Sequence, residues 1–154
     1  MIDFQIDDKF LHKIDLALLE KAVNHTLQIT NSVNPTLTIV VTDNDTVQQL
    51  NHDYRGISAV TDVLSFANDS DDMFVTPDDD DGYLGDIIIA YPVAAEQAQK
   101  SGHATLDELL LLTVHGTLHL LGFDHDTPTN KADMWAKQEQ ILIALDMNQV
   151  QPTE

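Results

Sequence analysis

Apolar and polar residues alternate over residues 2–6, the period of a strand with one covered face. From Lys9 to Ile29 the period changes: Leu11, Ile14, Leu18, Ala22 and Val23 recur at helical spacing and predict a helix across that stretch. Pro35 ends the link, and Leu37 to Val41 is a β-branched run that reads as a second strand. Thr42 and Asp43 offer N-caps for a helix with Val47, Leu50 and Tyr54 on one face, closed by Gly56. Val63 to Phe66 and Leu84 to Ile89 read as two further strands. A short helix is expected over Pro92 to Lys100. Thr105-Leu-Asp-Glu108 has the spacing of a capping box and marks the start of a helix running to Leu121. That helix is apolar nearly all round, so it is expected to be central and buried. Beyond Pro128, Met134, Gln138, Ile141 and Leu145 mark a last helix, and residues 148–154 read as a frayed tail. The order of elements predicts one α+β domain over residues 1–147. Its mixed sheet has about four strands, with helices packed on it.

One stretch breaks the pattern. Asn68 to Gly82 holds seven aspartates and Pro77, and reads as a long, mobile surface loop with a solvated, repulsive tip. Its carboxylates lack the spacing of a calcium loop. The whole chain is acidic, with 26 Asp and Glu against seven Lys and Arg and a net charge of −19. Phosphate affinity comes mostly from Lys and Arg, so this balance alone argues against nucleic acid. Exposed charges more than about 8 Å apart are largely screened at physiological salt, however, so local charge decides. The absence of cysteine excludes disulfides and thiolate metal sites. Residues 1–8 lack the order of a secretory leader, and the most apolar segment, Leu109 to Leu121, is too short to span a bilayer. The expectation is a soluble, cytoplasmic protein with no membrane partner.

The chemistry concentrates in His115-Gly-Thr-Leu-His119-Leu-Leu-Gly122-Phe-Asp-His125. Side chains four apart lie on one helical face, so His115 and His119 aim at one point. Gly122 accepts positive φ, ends the helix and lets His125 return to the same point. A buried imidazole without a partner costs about 1–3 kcal/mol, and a shared ion would satisfy all three rings. Three His ligands and an open fourth position are the donor set of a catalytic zinc site, in which bound water has a pKa of about 7. Imidazole also suits Ni²⁺, Cu²⁺ and Fe²⁺. The spacing equals that of the metzincin peptidases, but their general-base glutamate is replaced by Gly116, which removes the proton acceptor of peptidase chemistry. A mid-helix glycine costs about 1 kcal/mol against alanine. Close packing on the sheet accounts for it, and it also leaves room near the metal. Asp124 and Asp86 are each either an orienting partner for an imidazole or a turn or strand-end carboxylate.

Together with two upstream blocks, this motif resembles the signature of the YbeY family, bacterial endoribonucleases also called rRNA maturation factors. The blocks are Leu50-Asn51-x-x-Tyr54-Arg55 followed by Thr61-Asp62-Val63-Leu64-Ser65-Phe66, and Leu84-Gly85-Asp86-Ile87. The resemblance spans nearly the whole chain. It implies an α+β fold, zinc held by His115, His119 and His125, and Arg55 as a functional arginine. The activity it implies is a metal-dependent, single-strand-specific endoribonuclease. The roles implied are maturation of ribosomal RNA, especially the small-subunit 3′ end, and ribosome quality control. The implied partners are small-subunit ribosomal proteins and a ribosome-associated GTPase. The chain departs from the family pattern in its aspartate-rich loop and its shortage of basic residues.

The residues themselves fit that implication. Phosphodiester cleavage builds negative charge on the non-bridging oxygens, which a dication and a guanidinium answer from two sides. Arg55 is the sole arginine and its fork suits phosphate; the alternative is a surface salt bridge with one of the many carboxylates. Two nucleophiles remain open, water activated by the metal and the RNA's own 2′-OH. With no evident general base, slow intrinsic turnover is expected. The six lysines are scattered and no basic-aromatic platform is apparent, so weak binding of free RNA and delivery by a protein partner are expected. The alternative is a non-enzymatic ribosome-assembly factor with a structural zinc, which would need a fourth protein ligand such as Asp124.

Overall fold

A computed structural model of the chain describes residues 2–32, 35–67 and 83–146. The expected loop over residues 68–82 and the expected tail over 148–154 lie outside the described residues. Four strands, β1 (Ile2–Ile6), β2 (Thr36–Thr42), β3 (Val63–Ala67) and β4 (Tyr83–Ala90), form one sheet in the order β1-β2-β4-β3. β1 and β4 flank β2 in parallel, and β3 runs antiparallel to β4 at the edge, giving the mixed four-stranded sheet expected from the pattern. Parallel neighbours require crossovers, which the helices supply.

The run Ile87-Ile88-Ile89-Ala90 is apolar on both faces because both faces are covered. Ile87 and Ile89, with Ile39 and Val41 of β2, join the large core with α2 (Leu16–Ile29), α5 (Thr105–Leu120) and α6 (Pro128–Ala144). Ile88 and Ala90 face the other way, onto Leu64 and onto Val47 of α3 (Asn44–Arg55). α5 lies against β3 and β4 and also touches α2, α4 (Tyr91–Ser101) and α6. The helix expected to be central therefore is. Every residue from Glu108 to Leu120 is buried except His115 and His119. Each buried leucine contributes about 1.5–3 kcal/mol relative to exposure, so the core holds α5 firmly in place.

Two glycines permit close approaches, one within the sheet and one between helix and sheet. Gly85 has φ +138°, and a Cβ there would collide with the Phe66 carbonyl of the neighbouring strand. Gly116 presses α5 onto β4: a Cβ would stand 2.9 Å from Ile87 Cγ2. Close packing thus accounts for the mid-helix glycine.

Two sequence expectations need correction, and a third, the pair of candidate N-caps for α3, resolves to one of its members. The apolar pattern from Lys9 to Ile29 is interrupted, giving α1 (Asp8–Leu11) and then α2. Asp15 ends the continuity because its carboxylate accepts from the Ala17 and Leu18 amides as an N-cap; Leu11 is left 45% exposed. Asp43 caps α3, accepting from the Thr46 amide at 2.9 Å, whereas Thr42 ends β2. That bond holds the Asp43 carboxyl below the usual range. Lastly, Thr105-x-x-Glu108 forms no capping box. Ala104 occupies the N-cap, and Glu108 turns into the core with Oε1 2.6 Å from His103 Nε2. Turning the Gln97 amide nitrogen toward the carboxylates lets it donate to both Glu108 and Asp62. Glu108 therefore has better partners inside than the helix end offers. Burial nevertheless pushes its carboxyl above the usual range. Among the described residues, no helix is long and apolar enough to cross a membrane.

Candidate metal centre

The C-terminus of α5 builds the centre. Gly122 has φ +99°, its amide donates to the His119 carbonyl at 3.0 Å, and the Phe123 amide donates to Leu118 at 3.0 Å. These two bonds form a Schellman turn, the motif that reverses a chain at a left-handed residue. The reversal carries His125 back over the last helical turn. The ring centroids of His115, His119 and His125 are separated by 4.7, 5.7 and 5.2 Å. One ligand atom from each lies within 4.8 Å of the others. The three side chains singled out in the sequence thus converge.

The donor set suits a cation of the zinc type. Burial, then the neighbouring rings of His115 and His125, lowers the His119 pKa to about 4, which keeps that ring neutral with a lone pair to give. The other side of the His115 imidazole is engaged. His115 Nδ1 stands 3.1 Å from Gln138 Oε1; donating there leaves Nε2 as the ligand nitrogen. Trp135 closes one side, its ring 5.8 Å from those of both His115 and His125. Among the described residues, no carboxylate joins the three histidines as a further ligand.

The two carboxylates considered as orienting partners act otherwise. Asp124 accepts from the His125 backbone amide at 2.7 Å, and Asp86 accepts from the Tyr83 hydroxyl. The orienting role for His115 falls to Gln138, which is buried in α6. Its signal in the sequence was a polar residue at an apolar position of the helical repeat.

The triad forms one wall of an opening whose other wall includes Arg55, Thr61, Asp62, Ser65 and Ala67. Arg55 is the last residue of α3, where Gly56 in the left-handed region stops the helix. Buried Asn51 ties the following segment down: its Nδ2 donates to Ala59 at 2.9 Å, and the Ile57 amide returns to its carbonyl. Asp62 then accepts from the Val63 amide at 2.7 Å and starts β3. Arg55 itself is exposed. Its Nη2 reaches the Ser65 carbonyl at 3.5 Å and its guanidinium carbon lies 5.8 Å from the Phe66 ring centre. It makes no ion pair among the described residues, so the guanidinium is not committed to a carboxylate. Tyr54 and Phe66, separate in the sequence, meet at 5.3 Å between ring centres beside it. The sequence reading missed that aromatic pair.

The chain matches the family model described as Endoribonuclease YbeY over residues 3–146. It is 44% identical over 150 residues to the Endoribonuclease YbeY of Roseiflexus castenholzii, covering 96% of this chain and 94% of that protein. Identity to the protein of the same name from Roseiflexus sp. strain RS-1 is 45%, with the same coverage. That from Moorella thermoacetica is 39% identical over 148 residues, covering 94% of this chain and 92% of that protein. The solution structure of TM1509 from Thermotoga maritima superposes with a TM-score of 0.61 at 24% identity, covering 100% of this chain and 99% of that one. That likeness supports the α+β fold.

Proposed function

Because the chain belongs to the endoribonuclease YbeY family, we propose that it is a zinc-dependent, single-strand-specific endoribonuclease. Its proposed work is maturation of ribosomal RNA, at the small-subunit 3′ end above all, and ribosome quality control. The observation that carries this reading is the convergence of three imidazoles at an opening shared with an arginine that makes no ion pair among the described residues. His115, His119 and His125 would hold the ion. When bound, zinc supplies Lewis-acid stabilisation of phosphate charge and acidified water.

The chain's own residues do the rest. Gln138 fixes the His115 tautomer, so its ligand nitrogen faces the opening. Arg55 reaches the scissile phosphate from the opposite wall and stabilises the charge that grows on its oxygens. Trp135 excludes water from one flank of the histidines. No carboxylate stands where a peptidase keeps its base. A glutamate at position 116 would have to displace Ile87, so the packing of α5 opposes a peptidase reading.

A structural zinc in a non-enzymatic assembly factor needs four protein ligands. Three histidines, with Asp124 engaged at a backbone amide, favour the catalytic reading. The net charge of −19 supports delivery to the substrate by protein partners, for which small-subunit ribosomal proteins and a ribosome-associated GTPase are proposed. Cleavage of single-stranded ribosomal RNA by the purified protein tests the activity. Loss of cleavage on chelation and its return with zinc are expected. Cyclic-phosphate ends would assign the attack to the 2′-OH, and 5′-phosphate ends to water. A chelated protein that still cuts at full rate contradicts the reading.

A further inference from the structure

We infer that Tyr54 and Phe66, with Arg55 beside them, form a stacking subsite for one unpaired nucleobase next to the phosphate being cut. This rests on the endoribonuclease reading and names how the same opening takes hold of its substrate. Tyr54 is 71% exposed, the most exposed of the large apolar side chains among the described residues. Its place in the helical repeat with Val47 and Leu50 predicts an inward face, yet the ring stands in water at the end of α3. It is not isolated there. It meets Phe66 of the edge strand β3 at a 54° tilt, and the Arg55 guanidinium lies over the Phe66 ring. Arg55, Ser65 and Ala67 line the opening that faces the histidines. An exposed aromatic face, the sole arginine and the metal centre therefore follow one another across one surface.

The charge of the surroundings selects the occupant. Asp62 lines the opening beside Arg55, and no lysine is among its described lining residues. Such a surface attracts a phosphate backbone only at Arg55. A base is uncharged, and every base has a π-face, so stacking supplies sequence-tolerant affinity where cations are few. It also gives single-strand preference a physical cause. A base inside a duplex is already stacked on both sides and cannot lie against an external ring.

The test uses the full-length zinc-loaded protein and single-stranded RNA carrying 2-aminopurine, whose fluorescence falls on stacking. It also uses the same strand with an abasic residue at successive positions around the cut. Expected for wild type are quenching and a loss of cleavage confined to one abasic position beside the cut. Tyr54→Ala should lose the quench and raise KM by about 5- to 100-fold, the equivalent of one stacked base, with kcat little changed. Tyr54→Trp, which keeps a ring face, should recover binding relative to Tyr54→Ala. On the abasic strand, wild type and Tyr54→Ala should be alike. Because Tyr54 is exposed, unfolding temperature should not move. Equal KM and equal quenching in wild type and Tyr54→Ala overturn the subsite, as does the same loss on intact and abasic strands. If wild type cuts no RNA, the endoribonuclease reading fails. The quench then decides the subsite alone: present in wild type and lost in Tyr54→Ala upholds it, and any other result overturns it.

Discussion

The opening has two walls built in opposite ways. On the histidine side, His115 and His119 are the only residues between Glu108 and Leu120 that are not buried, on a helix held by core packing. On the arginine side, residues 52–60 are all exposed and are held by backbone bonds and the anchor of Asn51. The first wall is rigid because it is part of the core. The second is tethered at its ends, and its exposed Tyr54 and Arg55 rest, among the described residues, only on the edge strand β3. Metal ligands need fixed geometry, whereas a group that follows a phosphate through a reaction needs reach. Substitutions on the histidine wall should therefore disturb stability and function together, and those on the arginine wall function alone.

The sharpest way to break that contrast is a pair of variants. His119→Ala should reduce cleavage to background. It should also forfeit the stabilisation that zinc gives wild type, about 2.7 kcal/mol at a hundred times Kd, read from unfolding with and without zinc. Arg55→Glu should lose about 10²–10³-fold in kcat while zinc content stays whole and stability moves by no more than about 0.5 kcal/mol. An Arg55→Glu protein that cuts at the wild-type rate removes the arginine from the mechanism. Next in size is Gln138→Leu, which removes the bond to His115 while keeping side-chain bulk. Zinc affinity should fall about 10- to 100-fold by competition with a chelator.

Smaller effects test the rigidity itself. Gly116→Ala gains about 1 kcal/mol of helix propensity but drives a methyl group into buried Ile87. Overpacking costs about 1–3 kcal/mol, so a net loss is expected in urea unfolding, relieved when Ile87→Val is added. The last effect is pH. In metal-free protein the folded state resists protonating His119 down to about 4, while the unfolded chain takes that proton near the ordinary imidazole value of about 6.5. The unfolded state thus binds more protons in that window, so stability should fall as pH drops from about 6.5 toward 4. The slope should flatten in His119→Ala.

The histidine wall was legible in the sequence because each of its parts is local. Four-residue spacing, a glycine for the reversal and the return of His125 are all written within eleven residues. The sheet was legible for the same reason, as period-two and β-branched runs mark strands one at a time. What escaped depends on distant pairing. Glu108 has the spacing of a capping residue, and only the approach of His103 and Gln97 makes its burial favourable. Gln138 passed for an apolar position of α6 because the imidazole that satisfies it lies on another helix. The break at Asp15 was hidden because Ile14 is buried and keeps the apolar rhythm alive across a turn. Tyr54 followed the helical repeat in sequence, yet its partner is an edge strand rather than the core.

X-ray absorption at the zinc edge of the loaded wild-type protein bears most directly on the central claim. Three imidazole nitrogens at about 2.0–2.1 Å and one light, exchangeable oxygen ligand are predicted. A spectrum with four protein ligands, or a protein that retains no metal, would contradict it.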